Sequence, residues 1–226
     1  MNLINMINTT SKIIFFTFIF LIASCTNPKP KEQEKHSEKS EEIAPMMEGD
    51  IVFQTSNSNQ SKAIQLATSS PYSHCGILFL KDKHWMVYEG VQPIKFTPLN
   101  QWIKQGKRGE YIIKRHKNAS MLLSPKVLNK MRKEGVKFLG KNYDLTFGWS
   151  DERIYCSELV WKIYYRGTGL RIGKLQLLKE FKLDDPLVRG ILIKRYKTEK
   201  AIPLNDTVIS PGAIFMDPNF IEIPKL

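Results

Sequence analysis

Cys156, His74 and Glu89 are a thiol, an imidazole and a carboxylate, the set from which an activated sulfur nucleophile can be built. A cysteine attacks carbonyl carbon as its thiolate, so the first question is what would lower its pKa. Cys156 stands in Tyr155-Cys156-Ser157-Glu158-Leu159-Val160-Trp161-Lys162-Ile163-Tyr164-Tyr165, a run of helical character closed by Gly167 and Gly169. At or near the first turn of that helix, the unpaired amides and the helix dipole favour an anion. Leu159, Val160 and Ile163 share a face that can pack into a core and hold the sulfur in place.

A thiolate of this kind needs a base, and the base needs an acceptor to orient it. His36 lies in a polar stretch, His84 in a polar turn and His116 after Lys114-Arg115, whereas His74 lies in the apolar run Ser73-His74-Cys75-Gly76-Ile77-Leu78-Phe79-Leu80. Glu89 interrupts the second apolar run, Trp85-Met86-Val87-Tyr88-Glu89-Gly90-Val91, where a carboxylate is costly without a partner. It is the first choice to orient His74, with Asp144 the alternative; a plain reading puts Glu89 at a strand's solvent end. Cys75 offers a competing account, a Cys75–Cys156 disulfide in an exported protein. Neighbours on a strand point to opposite faces, so a His74 that faces Cys156 leaves Cys75 facing away.

These side chains require particular elements around them. Ile51-Val52-Phe53 is a candidate first strand, and Ser61–Thr68 has helical character stopped by Ser70-Pro71. The two apolar runs that carry His74 and Glu89 are expected to pair as an antiparallel hairpin across Lys81-Asp82-Lys83-His84. A short helix over 98–104 and a strand over 111–115 follow. Ser124 as N-cap and Pro125 open a longer helix that runs to Gly140, with Val127, Leu128, Met131, Val136 and Leu139 as its buried side. Residues 143–152 read as a loop, and Gly190–Tyr196 as a strand. There is no internal repeat.

The rest of the chain bounds where this chemistry would operate. Its 226 residues, 42% hydrophobic and 25% charged, suit one ordinary core with appendages. Residues 1–24, with Lys12 ahead of an apolar run from Ile13 to Ile22, have the layout of a secretory signal, too short to span a bilayer comfortably. Ile22-Ala23-Ser24-Cys25 resembles the bacterial lipobox, which would make Cys25 the lipidated N-terminus of the mature protein. Residues 25–47 are Lys-, Glu- and Pro-rich and read as a disordered tether, leaving 48–226 as the folded domain. The formal charge is +12, and loss of Lys12 with the signal leaves +11. In an exported, lipid-anchored protein this points to lipid headgroups or anionic wall polymers, with no nucleic-acid partner. No metal-ligand spacing, phosphate loop or nucleotide fingerprint is present, so no cofactor is expected.

The order Gly49-Asp50-Ile51-Val52-Phe53, Ser73-His74-Cys75-Gly76-Ile77, Tyr88-Glu89-Gly90, Tyr143-Asp144, Tyr155-Cys156-Ser157-Glu158-Leu159-Val160 closely resembles the YiiX/YaeF-like permuted papain-like amidases. These are relatives of the NlpC-type cell-wall peptidases and of lecithin:retinol acyltransferase. The resemblance spans about residues 48–196. It implies an α+β, circularly permuted papain-like fold, a small antiparallel sheet or barrel packed against helices, with histidine ahead of cysteine. It also implies Cys156 as nucleophile, His74 as base and Glu89 as the third polar residue. The implied reaction is cleavage of an amide in a peptide or cell-wall component through a thioester, at a membrane-anchored site in the envelope. Acyl-lipid hydrolysis or acyl transfer is the second expectation. A non-catalytic lipid- or peptide-binding module is the third, and the presence of both Cys156 and His74 argues against it. Oligomeric state is not legible.

Overall fold

The structure, a computed structural model, describes residues 46–225. The expected signal, Cys25 and most of the tether lie outside the described residues.

The chain enters the domain through β1 (Ile51–Gln54), buried along its whole length. Helix α1 (Asn59–Thr68) follows, started by the Ser58 side chain, which accepts from the Ser61 amide, and ended by Ser69 in the left-handed region. Strands β2 (His74–Lys81) and β3 (His84–Glu89) form the expected hairpin, turned by Asp82 and Lys83, both at positive φ. Then come β4 (Lys95–Pro98), α2 (Leu99–Gln105), β5 (Tyr111–His116), the short α3 (Ala119–Leu122) and α4 (Pro125–Val136). The second half holds β6 (Asn142–Tyr143), β7 (Arg153–Ile154), α5 (Cys156–Thr168), β8 (Gln176–Leu177), α6 (Pro186–Tyr196), β9 (Thr207–Val208), α7 (Pro211–Phe215) and β10 (Phe220–Ile223).

Six of the strands make one antiparallel sheet in the order β10-β5-β1-β2-β3-β4, so the fold is α+β and the sheet is open rather than a barrel. Alternation divides its side chains between two apolar layers. Ile51, Phe53, Cys75, Ile77, Phe79 and Tyr88 meet α5 and Met131 of α4, while Val52, Leu78, Val87 and Ile113 meet Leu99 and Trp102 of α2. Helix α5 is buried from Cys156 through Tyr164, which makes it the centre of the larger layer. Among the described residues no helix is long and apolar enough to cross a membrane.

Two expectations are corrected. The segment Gly190–Tyr196 is helical, the greater part of α6: Asp185 caps its start, Pro186 takes the first turn, and Val188 and Leu192, four apart, are its buried pair. The local Ile-Leu-Ile run imitated a strand, but the start signal lay five residues upstream. Helix α4 stops at Val136 instead of Gly140, and it is Met131, Gly135 and Phe138 that face inward, with Val136 and Leu139 exposed. Val136 is one residue, about 100°, away from the buried Gly135 on the helix.

Candidate active site

Cys156 is the first residue of α5 and is buried, and its N-cap, Tyr155, makes no side-chain capping bond, so the first-turn amides keep their field for an anion. The helix start is pinned from outside. Ser157 Oγ donates to the Ile209 carbonyl at 2.8 Å, and the Ile209 amide donates to the Tyr155 hydroxyl at 3.1 Å. On the sheet side it rests against Gly90, just past β3. A β-carbon there would lie 2.7 Å from both the N and Cα of Cys156, so this approach requires glycine.

His74 begins β2, and the register sets Gly76 opposite Glu89, which places His74 and Glu89 diagonally on one face of the hairpin. His74 Nε2 is 2.6 Å from Glu89 Oε2. Glu89 is fully buried and accepts two further bonds, from Thr97 Oγ1 at 2.5 Å and Trp102 Nε1 at 2.9 Å. Burial alone would raise the Glu89 pKa, but His74, Thr97 and Trp102 together bring it below the ordinary carboxylate value. With Nε2 occupied, Nδ1 is the nitrogen left for the Cys156 sulfur, to which His74 is hydrogen-bonded. Burial pulls the imidazole pKa down, yet Cys156 and Glu89 outweigh it and carry it up to about 10.

The thiol of Cys156 moves the other way, well below the usual cysteine range. Its largest cause is a hydrogen bond from the Cys75 thiol, opposed by burial and supported by His74 and by the backbone N–H of Cys75. Cys75 itself is pushed well up by burial and by the adjacent sulfur, which keeps it a thiol and a donor. The two cysteines are free, not bridged. This corrects the expectation that His74 facing Cys156 would leave Cys75 out of reach. The two side chains do take opposite faces, but Cys156 sits at the end of the sheet, beside Gly90, where both faces are accessible to one sulfur.

Tyr143, quoted in the sequence motif without a role, also reaches the sulfur. Its hydroxyl is hydrogen-bonded to Cys156 and accepts from Gln60 Nε2 at 3.3 Å, and burial followed by the sulfur's charge keeps it protonated. No local pattern announces this contact, because β6 is only two residues long and is positioned by Gln92, whose Oε1 accepts the Tyr143 amide at 2.7 Å. Asp144 does not orient His74. Its carboxylate accepts from the Thr146 amide and hydroxyl and from the Gly148 amide at 2.7 to 2.8 Å, folding the loop that follows.

Beside Cys156 opens a narrow cavity, partly open to solvent, bounded by α1, α6 and the segments at 178–183 and 208–211. Its walls are almost entirely apolar, and Gln60, Tyr143 and Arg195 are the larger polar side chains among them.

Residues 45–222 match the family described as permuted papain-like amidase enzyme, YaeF/YiiX, C92 family. The chain belongs to the permuted papain-like amidases. Among members of this kind, it is 48% identical over 177 residues to the uncharacterized protein YiiX of Escherichia coli K12, covering 78% of this chain and 85% of that one. The crystal structure of a protein described as metalloprotein yiiX, from Escherichia coli O157:H7, superposes with a TM-score of 0.74 at 47% identity, covering 80% of this chain and 97% of its own. Membership in the permuted papain-like amidases makes this a chain of the cysteine hydrolase class. In the order expected of that family, the histidine strand precedes the cysteine helix here.

Proposed function

We propose that the protein hydrolyses an amide bond with Cys156 as nucleophile, His74 as acid and base, and Glu89 as the group that orients His74. The observation that carries this is the continuous relay from Cys156 through the His74 ring to Glu89, with its 2.6 Å Nε2–Oε2 link and a thiol biased toward thiolate. The thiolate adds to the amide carbon, and the oxyanion is held by first-turn amides of α5, including that of Cys156, and by the Tyr143 hydroxyl. The intermediate collapses as the His74 imidazolium gives its proton to the leaving nitrogen. An amine departs and a thioester remains on Cys156. Water, giving a proton to His74 as it adds to the thioester, then releases the acid, and expulsion of the sulfur restores the thiolate–imidazolium pair.

The E. coli O157:H7 relative is described as a metalloprotein. In this chain no group of three or more His, Cys, Asp or Glu side chains among the described residues is arranged to hold a metal, and His74 Nε2 is committed to Glu89. No step here is routed through a metal.

Together with the signal-like residues 1–24 and Cys25, the reading places the hydrolase at the bacterial envelope, on a membrane through an acylated Cys25, with a peptide or wall amide within reach of the tether. The deciding test is the pH dependence of Cys156 alkylation by iodoacetamide, mapped by mass spectrometry, in residues 26–226 and in His74→Ala. Fast labelling well below pH 8.5 that the variant loses supports the dyad. Ordinary-thiol behaviour in both proteins rejects it.

A further inference from the structure

An amide has two sides, and His74 marks the one that the departing amine takes, because the nitrogen it protonates must come within hydrogen-bond reach of its ring. The His74 side chain is 20% exposed and lines a cleft distinct from the apolar cavity that Cys156 lines; Gln60, Ile64 and Tyr143 stand between the two and border both. The cleft runs from the end of β1 and the start of α1 to Gln105 at the end of α2. Of the whole chain 25% is charged, yet none of the twelve residues lining this cleft is Lys, Arg, Asp or Glu. Hydroxyls and carboxamides dominate instead. Ser61 Oγ is 2.6 Å from Ser73 Oγ and 2.8 Å from Thr55 Oγ1, which fixes that wall. The charge of His74 is already matched by Glu89 and the Cys156 sulfur. An ion entering here would lose water and meet no counter-charge, whereas a neutral amide would meet both donors and acceptors.

Gln54 supplies a specific contact. It stands directly opposite His74 in the β1–β2 register, so the two side chains share a face about 5 Å apart. It is buried, and its Oε1 has no hydrogen-bond partner among the described residues, a deficit that an arriving N–H would make good. This oxygen rests against Gly106, where a β-carbon would lie 2.5 Å from it, and the soft terminal torsion of glutamine lets it turn toward the cleft that Gln54 lines.

We infer that this cleft takes the leaving side of the scissile amide as an uncharged peptide segment, with Gln54 hydrogen-bonded to the amide that follows the cleaved bond. The inference rests on the amidase reading and refines it. The residue released with the new amine carries no charged side chain, and its carboxyl is itself in amide linkage, so the bond cut lies inside a peptide rather than beside a free carboxyl terminus.

The test uses iodoacetyl labels, which react with the sulfur while their amine side lies along the cleft. Rates of Cys156 alkylation in the full chain, mapped by mass spectrometry, are divided by each label's rate with N-acetylcysteine. N-iodoacetyl-alaninamide is expected to react about 3- to 10-fold faster than iodoacetamide. N-iodoacetyl-alanine, with its free carboxylate, and N-iodoacetyl-lysinamide are expected to fall about tenfold or more below the alaninamide. A formal charge of +12 draws anions in general, so a penalty on the carboxylate runs against the field of the whole protein. Gln54→Met, similar in size, should bring the alaninamide down to the rate of iodoacetamide. Gln105→Arg should raise the carboxylate label relative to the alaninamide by about 2- to 5-fold at low salt. Equal normalised rates for the four labels overturn the inference even where Cys156 reacts as a thiolate. N-iodoacetyl-glucosamine outrunning the alaninamide overturns it in favour of a sugar on the leaving side. Label selectivity at a Cys156 that reacts only as an ordinary thiol overturns the amidase reading and supports the peptide cleft alone.

Discussion

Cys156 is polarised by groups that can be removed one at a time. Cys75 is the largest of these influences, so Cys75→Ala should slow alkylation of Cys156 at pH 6.5 by roughly an order of magnitude, the size of one hydrogen bond to a charged group, with the fold unchanged by circular dichroism. The proton donor titrates separately from the nucleophile. As pH approaches 10, the His74 imidazolium disappears, so amide turnover should decline there while alkylation, which needs only thiolate, stays at its plateau. Parallel pH profiles of the two reactions check this. Glu89→Gln exchanges an acceptor-only group for one with two N–H donors aimed among the Thr97 hydroxyl, the Trp102 N–H and His74. We expect kcat/KM to drop by at least about a hundredfold and unfolding to cost about 1–3 kcal/mol less, read by turnover and urea titration. At this scale Cys156, His74 and Glu89 were legible, because a thiol at a helix start and a polar pair among apolar strand residues are local anomalies. Cys75 and Tyr143 were not, because their contacts with the sulfur arise only when distant segments meet.

Elements set how firmly these atoms are held. Gly90 lets the start of α5 touch the end of β3, and Gly90→Ala would force that helix start outward; it should lower the alkylation rate of Cys156 and reduce stability by about 1–3 kcal/mol. Helix α5 also carries a buried acid in its first turn. Burial raises Glu158, against the pull of Lys162 Nζ 2.7 Å away, to a pKa of about 8 from an ordinary 4.5. Since the folded protein then holds this proton more tightly than the unfolded chain, the contribution is full below about pH 4.5 and is lost as pH rises to about 8. Glu158→Gln should therefore flatten the decline in stability between those values, seen as a higher midpoint of thermal unfolding at pH 8 than the parent. Helix starts marked by a nearby cap were read correctly, as at Ser124. Helix α6 was misread because its apolar residues lie close together while its cap, Asp185, stands apart from them.

At the scale of the molecule, the permuted order determines what each part of the chain contributes. In the proposed mechanism the β2–β3 hairpin alone supplies the base and its orienter and α5 supplies the nucleophile, while the later α6 supplies one wall of the apolar cavity beside Cys156. In the proposed reading, acylation of Cys25 would fix where that chemistry operates. Cys25→Ser should move the protein from the membrane to the soluble fraction on cell fractionation without changing the alkylation of Cys156 in the purified domain. The open six-stranded sheet, rather than a barrel, follows from an order that sequence periodicity does not encode: β10, the last strand, pairs with β5 at one edge. The pairing within the hairpin has a kinetic consequence. His74 and Glu89 are only fifteen residues apart, so that pair can form as soon as the hairpin closes, whereas Cys156 must be brought in from the far half of the chain, a loop closure that comes at a greater entropic cost. A chain still folding thus holds an ordinary thiol, and its appearance as a fast-labelling sulfur during refolding would clock the docking of α5 onto the sheet.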